Sequence, residues 1–116
     1  MTTTIRDHLD TASEAVRQAN HATYRRLLVV TDVYDVVGVL DELAGRLPHV
    51  VGFLVRSVDR GSHDGVFDDR GHDPQEALAD AGRALTGAIG SLDALSVHIR
   101  TAHNALGHLG RRYLED

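Results

Sequence analysis

A seven-residue repeat of apolar positions runs along the last third of the chain. One row of apolar residues recurs every seven positions, and a second row follows three positions behind each of its first five members. The first row is Leu78, Leu85, Leu92, Ile99, Leu106 and Tyr113, and the second is Ala81, Ala88, Leu95, Ala102 and Leu109. Because this heptad pattern is typical of a long helix laid along partner helices, it predicts helix 3 over about residues 74–114.

The positions that flank the two rows are mostly small or uncharged. Gly82, Ile89, Ser96 and His103 follow the first row on one side, and most charged residues fall on the opposite face. A broad apolar face of this kind contacts more than one helix, whereas a slender two-stranded coil usually carries charges at the flanking positions. The pattern therefore favours a helical bundle.

An amphipathic helix is also predicted near the start of the chain. Thr4, with Asp7 three positions on, has the pattern of a capping box, and apolar positions follow at alternating spacings of four and three. That row is Ile5, Leu9, Ala12, Val16, Ala19 and Thr23. The row fails at Arg26, so helix 1 is expected over about residues 4–28.

Helix 2 is predicted over about residues 32–59, with Thr31 as its starting residue. Its core face combines Val33, Val36, Val37, Leu40, Leu43 and Leu47 with Val50, Val51, Leu54 and Val58. Pro48 falls inside this pattern, and we expect a kink there because proline removes a backbone donor and clashes with the preceding turn. Gly61 is expected to end the helix as a C-terminal glycine cap.

Residues 60–73 form a predicted loop rich in Asp, His and Gly. At about fourteen residues, it is longer than the ~2–8 usual between bundle helices. The loop ends in Asp73-Pro74-Gln75-Glu76, which supplies an N-cap, a proline at the first helical position and an acidic residue two positions later. The chain is therefore expected to be one all-α domain over residues 1–116, an antiparallel bundle of three main helices with helix 2 kinked at Pro48.

The composition limits the classes of function that the chain can have. The 116 residues carry a net charge of −5, contain no cysteine, and use arginine for every Lys or Arg position, which is typical of a high-GC bacterial genome. Nucleic-acid binding needs several basic contacts to phosphates, so it is disfavoured here. No segment reaches the ~20 apolar residues of a membrane span, and the start lacks an apolar signal region, so a cytoplasmic protein is expected.

Catalytic motifs are missing from the sequence. Without lysine there is no phosphate-binding Gly-x-x-x-x-Gly-Lys loop, and there is no Gly-x-Ser-x-Gly nucleophile motif. None of the glutamates is followed three positions later by histidine, which excludes the ligand pattern of a di-iron bundle. We therefore expect neither an enzyme nor a cofactor.

The loop histidines offer an alternative function. His63 and His72 share the loop with Asp64, Asp68, Asp69 and Asp73. Imidazole and carboxylate ligands suit Zn²⁺ or Ni²⁺, although a solvated acidic loop is the other interpretation of these residues. The alternative function is therefore a metal- or small-ligand-binding bundle.

The length of helix 3 predicts self-association. About 41 residues make a helix of ~60 Å, against ~35–40 Å for each of the other two helices. The end of helix 3 would then extend past its own partners and need another chain, so we predict a non-catalytic interaction module that forms a homodimer or binds another protein. The predicted contact residues are Val97, Ile99, Ala102, Leu106, Leu109 and Tyr113.

Overall fold

The computed structural model describes residues 3–110 of the chain. Three long helices follow one another: α1 at Thr3–Ala22, α2 at Val30–Asp59 and α3 at Pro74–Leu106. A 3₁₀ turn at Gly61–His63 follows α2, and the described residues contain no strand. The predicted all-α class with three main helices is confirmed, and α2 packs along α3 as the core of the fold.

The loop at residues 60–73 joins α2 and α3 into an antiparallel hairpin. Gly65 and Gly71 have φ angles of 73° and 79°, in the left-handed region that glycine enters without steric cost. At the end of the loop, Asp73 accepts a hydrogen bond of 3.0 Å from the backbone N–H of Gln75. The predicted N-cap and first-turn proline of helix 3 are therefore confirmed.

Gly61 lies where the chain leaves α2 and meets α3. It is buried, and a Cβ atom at this position would lie 2.9 Å from Cδ2 of Leu78. Gly61 directly follows the C-cap Arg60, where a glycine cap is expected, but its φ is not positive, so the left-handed cap does not form and Gly61 opens the 3₁₀ turn. Glycine is needed here for the close approach of α3.

α2 begins two residues before its predicted start and is continuous through Pro48. Its N-cap is Val29, so Thr31 lies inside the first turn and is not the cap residue. Pro48 is half-buried in the same row as Ala44 and Val51. Packing against α3 on both sides of the proline offsets the lost backbone hydrogen bond, and the helix does not restart at this point.

The seam between α2 and α3 uses the first heptad row of α3 and the positions four residues behind it. The half-buried residues of this seam are Leu78, Gly82, Leu85, Ile89, Leu92, Ser96, Ile99, His103 and Leu106. Most of the second row is exposed, with Leu95 at 45%. The expectation that this broad face contacts more than one helix is not met within the described residues, where α2 is the one long helix that packs against α3.

α3 ends at Leu106, with Gly107 as its C-cap, ahead of the predicted end near residue 114. Leu106 and Tyr34 line one cleft at the start of α2. α2 and α3 are ~45 and ~50 Å long and therefore end nearly together. The predicted overhang of helix 3 is not found within the described residues, and Tyr113 lies outside them.

α1 stands apart from the hairpin. Within the described residues, no Cα atom of α1 lies within 8 Å of α2 or α3. The chain measures 74 by 25 by 25 Å, and its radius of gyration of 20.0 Å compares with ~13 Å for a compact domain of this size. α1 therefore extends beyond the end of the hairpin, and only α2 and α3 share a core.

Candidate interaction surface

Contacts between the start of α2 and the end of α3 fix how the two helices are rotated against each other. The rings of Tyr34 and His103 stack with centroids 4.3 Å apart and planes 10° apart. One turn further along α2, Gly38 leaves room for the same imidazole ring. Beyond it, Nη2 of Arg100 lies 3.7 Å from Oδ1 of Asp41. These contacts determine which rows of each helix face the seam and which are left open.

Beside the seam, α2 carries a second row of large apolar residues. They recur at alternating spacings of four and three, and are Val36, Leu40, Leu43, Leu47, Val50 and Leu54. Val36, Leu40 and Leu43 are 47%, 44% and 37% exposed, and the other three are half-buried. α3 covers this row only in part, because it packs against the neighbouring row of α2.

The matching row on α3 is built mostly from small residues. It consists of Ala81, Ala84, Ala88, Ser91, Leu95, His98, Ala102 and Ala105. Small side chains allow another helix to approach α3 closely, since the distance between packed helices depends on the side chains at their contact. The row therefore leaves space beside the leucines and valines of α2.

Both rows lie on the same side of the hairpin. In an antiparallel pair, corresponding flanks of the two helices lie next to each other. Val55 and Asp59 of α2, with Gly82 and Arg83 of α3, line a groove of about 600 Å³ on one flank, so the rows described above share the other. We define the open face as Val36, Leu40, Leu43, Leu47, Val50 and Leu54 of α2 with Ala81, Ala84, Ala88, Leu95 and Ala102 of α3.

The open face is uncharged along its whole length. The sequence places no Asp, Glu, Lys or Arg in either row, and the row from Val36 to Leu54 is ~27 Å long. The charges of α3 lie on other sides of the helix, as with Asp93 and Arg100. A continuous apolar strip on an otherwise charged chain is typical of a binding surface.

α1 carries an apolar strip on one side and charges on the other. The strip consists of Ile5, Leu9, Ala12, Val16 and Ala19, all exposed. On the charged side, Nη2 of Arg17 lies 2.7 Å from Oε1 of Glu14. Hydrogen bonds from Arg17 and, more weakly, from Gln18 lower the pKa of Glu14 below its ordinary value of 4.5. The charged side therefore has partners within α1, while the apolar side is left in water.

The predicted subunit-contact residues fall in three places. Ala102 is exposed and lies in the open face, whereas Leu109 is exposed beyond the end of α3, where it lines the cleft with Tyr34. Ile99 and Leu106 are half-buried in the seam with α2. Val97 is 60% exposed on a side of α3 away from the open face. Of the contact residues that the structure describes, only Ala102 therefore belongs to the open face.

The loop histidines His63 and His72 are not gathered into a metal-ligand cluster. Nη2 of Arg70 lies 2.6 Å from Oδ2 of Asp68, and these hydrogen bonds lower the pKa of Asp68 below its ordinary value of 3.8. Asp73 is engaged as the N-cap of α3. Among residues 3–110, no three His, Asp or Glu side chains are arranged to hold a metal ion. Two of the four loop carboxylates have structural roles.

Sequence reasoning missed that α2 has two separate apolar rows. Val36 and Val37 are neighbours in the chain, but Val37 faces the seam and Val36 lies on the open face. The available signal was the width of the pattern, because the apolar residues of α2 form two adjacent rows, a wider face than one partner helix covers. A helix of that kind is usually buried on more than one side.

None of the helices in the described part of the chain is both long enough and apolar enough to cross a membrane. In comparisons with known proteins, no protein-family model matches this chain, and neither a curated protein nor a solved structure matches it.

Proposed function

We propose that this chain is a non-catalytic helical interaction module, which associates through its open face with a second copy of itself or with another helical protein. The proposal rests on the open face, which is a long, uncharged apolar strip that the described chain covers only in part. Leaving apolar surface in water costs about 25 cal/mol per Å². A partner helix laid on this face would therefore stabilise the hairpin.

The small core of the single chain supports the same proposal. Among the described residues, Ala44 is the one buried apolar residue, at 3% exposure. Folding must offset a conformational entropy cost of about 1–2 kcal/mol per residue, chiefly by burying apolar side chains. A hairpin with so little burial gains most of its stability by association, as obligate dimers do.

A non-catalytic role is proposed because acidic residues of the loop at residues 60–73 form contacts that stabilise the fold. Asp68 is paired with Arg70, and Asp73 caps α3, so the acidic loop is organised by its own contacts. The metal-binding alternative at His63 and His72 has less support than the open face. The cytoplasmic location and bacterial origin expected from the sequence remain part of the proposal, as does the lack of nucleic-acid binding.

Sedimentation equilibrium of the wild type and of Leu43→Glu tests this function. Leu43 lies in the middle of the open face, and we expect the wild type to sediment above its chain mass of 12.6 kDa at tens of micromolar. If the partner is a different protein, affinity capture from the native host should recover it with the wild type and not with Leu43→Glu. Val97→Glu, on another side of α3, is the matched control.

The proposal is contradicted if the wild type sediments at 12.6 kDa and captures nothing that Leu43→Glu does not also capture. Those two results together would mean that the folded chain is stable with its open face exposed to solvent, and that this face contacts no partner.

A further inference from the structure

We infer that α1 of a second copy covers the open face, so that two copies exchange their first helices in a symmetric dimer. This inference rests on the proposed function and deepens it, since it names both the partner and the segment. Each chain supplies both sides of the contact, an apolar strip on α1 and an open face on the hairpin. Within the described chain, the strip on α1 is uncovered and the open face is covered only in part.

α1 matches the open face in length and in polarity. Its strip from Ile5 to Ala19 is ~21 Å long, within the ~27 Å of the row from Val36 to Leu54. Neither surface contains a charged residue, and the α3 side of the open face is mostly alanine, which leaves space for a third helix. The charged side of α1 would then stay in solvent.

The connection between α1 and α2 directs α1 away from its own hairpin. Residues 23–25 extend the last turn of α1, because each backbone N–H bonds to the carbonyl three residues earlier. Val29 is extended, with φ −72° and ψ 156°. The described connector has no positive φ, whereas the reversal between α2 and α3 uses Gly65 and Gly71. α1 therefore leaves the hairpin without a left-handed turn and is placed to reach another copy.

The end of the connector, from Leu27 to Val29, is apolar and uncovered. Leu27 is 94% exposed and Leu28 is 51% exposed, although both stand next to the start of a helix. In a dimer with exchanged helices, the two connectors pass each other near the symmetry axis. Leu27 and Leu28 of each copy would then be covered by the other.

The exposed area is sufficient for such a dimer. The chain exposes 9689 Å², whereas a compact protein of the same mass exposes about 6,200 Å². The difference is roughly 3,500 Å² per chain, and obligate homodimers bury roughly 1,000–2,500 Å² per chain. A two-fold axis places α1 of each copy on the open face of the other through one repeated interface. A second copy therefore covers both apolar surfaces at once.

Three variants test the exchange. Val16→Glu changes the apolar strip of α1, Leu43→Glu changes the open face, and Gln18→Glu adds the same side chain on another side of α1. By sedimentation equilibrium, the wild type and Gln18→Glu should have twice the chain mass of 12.6 kDa. Val16→Glu and Leu43→Glu should each fall to the single-chain mass at tens of micromolar.

Equimolar mixing of Val16→Glu with Leu43→Glu separates exchange from other arrangements. A mixed pair contains one contact between an intact α1 and an intact open face, so the mixture should recover dimer that neither variant forms alone. If α1 instead folds back on its own hairpin, the substituted contact stays within each chain, and mixing the two variants should recover no dimer.

The exchange is overturned if mixing recovers no dimer, or if Val16→Glu alone stays dimeric. Both results leave the proposed function standing, because the open face would still bind a partner by another route. A wild type of 12.6 kDa also overturns the exchange, and the capture experiment with Leu43→Glu then decides the proposed function separately.

Discussion

Gly38 and Gly45 occupy equivalent positions of α2, seven residues apart, but they have different neighbours. A Cβ atom at Gly38 would lie 3.0 Å from Nε2 of His103, whereas no described atom outside the local helix lies within 4 Å of a Cβ at Gly45. The difference arises because His103 stacks on Tyr34, one turn before Gly38. The two glycines therefore form an internal comparison for the packing of the seam.

Alanine at these two glycines should have different effects on stability. We expect Gly45→Ala to raise the free energy of unfolding by about 0.5–1 kcal/mol, because alanine loses less backbone entropy than glycine in a helix. Gly38→Ala should not gain this amount, because its methyl group displaces the imidazole ring of His103. Chemical denaturation measures both changes, and equal stabilisation by the two substitutions would show that His103 does not lie over Gly38.

Leu92 and Val97 should differ as seam and surface residues of the same helix. Leu92 is half-buried against α2, so Leu92→Ala should lower the free energy of unfolding by about 2 kcal/mol, the lower end of the range for buried leucine. Val97 is 60% exposed, and Val97→Ala should change the free energy of unfolding by less than about 0.5 kcal/mol. Urea denaturation at one protein concentration compares them. If Val97→Ala lowered the free energy of unfolding more than Leu92→Ala, the side of α3 that contacts α2 would be assigned wrongly.

The carboxyl group of Asp68 should titrate at a lower pH than an ordinary aspartate. Its pKa is lowered chiefly by the hydrogen bonds from the side chain of Arg70, and then by the one from its backbone N–H. A carboxylate with a lowered pKa stabilises the folded loop above its unfolded pKa of about 3.8, and this contribution is lost as the pH falls through the lowered value. NMR titration of wild type and Arg70→Ala measures the shift.

Arg70→Ala should move the Asp68 titration towards higher pH, since the side-chain hydrogen bonds are removed. Arg100→Ala, which changes an arginine far along α3, is the control and should leave the Asp68 titration unchanged. An identical midpoint in wild type and Arg70→Ala would show that the ion pair does not form in solution.

Removal of the loop histidines should leave metal binding unchanged. Arg70 engages Asp68 and the backbone of α3 engages Asp73, so these carboxylates are already used. Isothermal calorimetry with Zn²⁺ and Ni²⁺ should give equal heats for wild type and for a His63→Ala, His72→Ala double variant. A heat present only in the wild type would restore the loop as a metal site.

Helix starts with strong local chemistry were predictable, and helix ends were not. Asp73 and Pro74 predict the start of α3, because an N-cap acceptor and a first-turn proline stabilise a helix start through contacts with residues close by in the chain. The end at Leu106 was not predicted, since the heptad rows continue through Leu109 and Tyr113 in the sequence. Gly107 follows Leu106, and glycine costs about 1 kcal/mol in a helix without a packing partner. Periodicity alone does not report whether such a partner is present.

The open face could be identified only from the structure, because it depends on how α2 and α3 are rotated against each other. The sequence predicts a broad apolar side on α3, wide enough for two partners, but not which half α2 takes. That choice is made by contacts between distant residues, with His103 against Tyr34 and Arg100 facing Asp41. Local spacing carries no information about these pairs, so the two rows of α2 merged into one predicted core face.

The near absence of a core around Ala44 has a consequence for the protein in the cell. If most apolar surface is buried only between copies, the folded fraction rises with the amount of protein present, by mass action. Newly made chains at low abundance would then spend longer with α1 and the hairpin uncovered, where proteases act on the open chain. The expression level would set the lifetime of the protein, and a cell could clear it simply by making less of it.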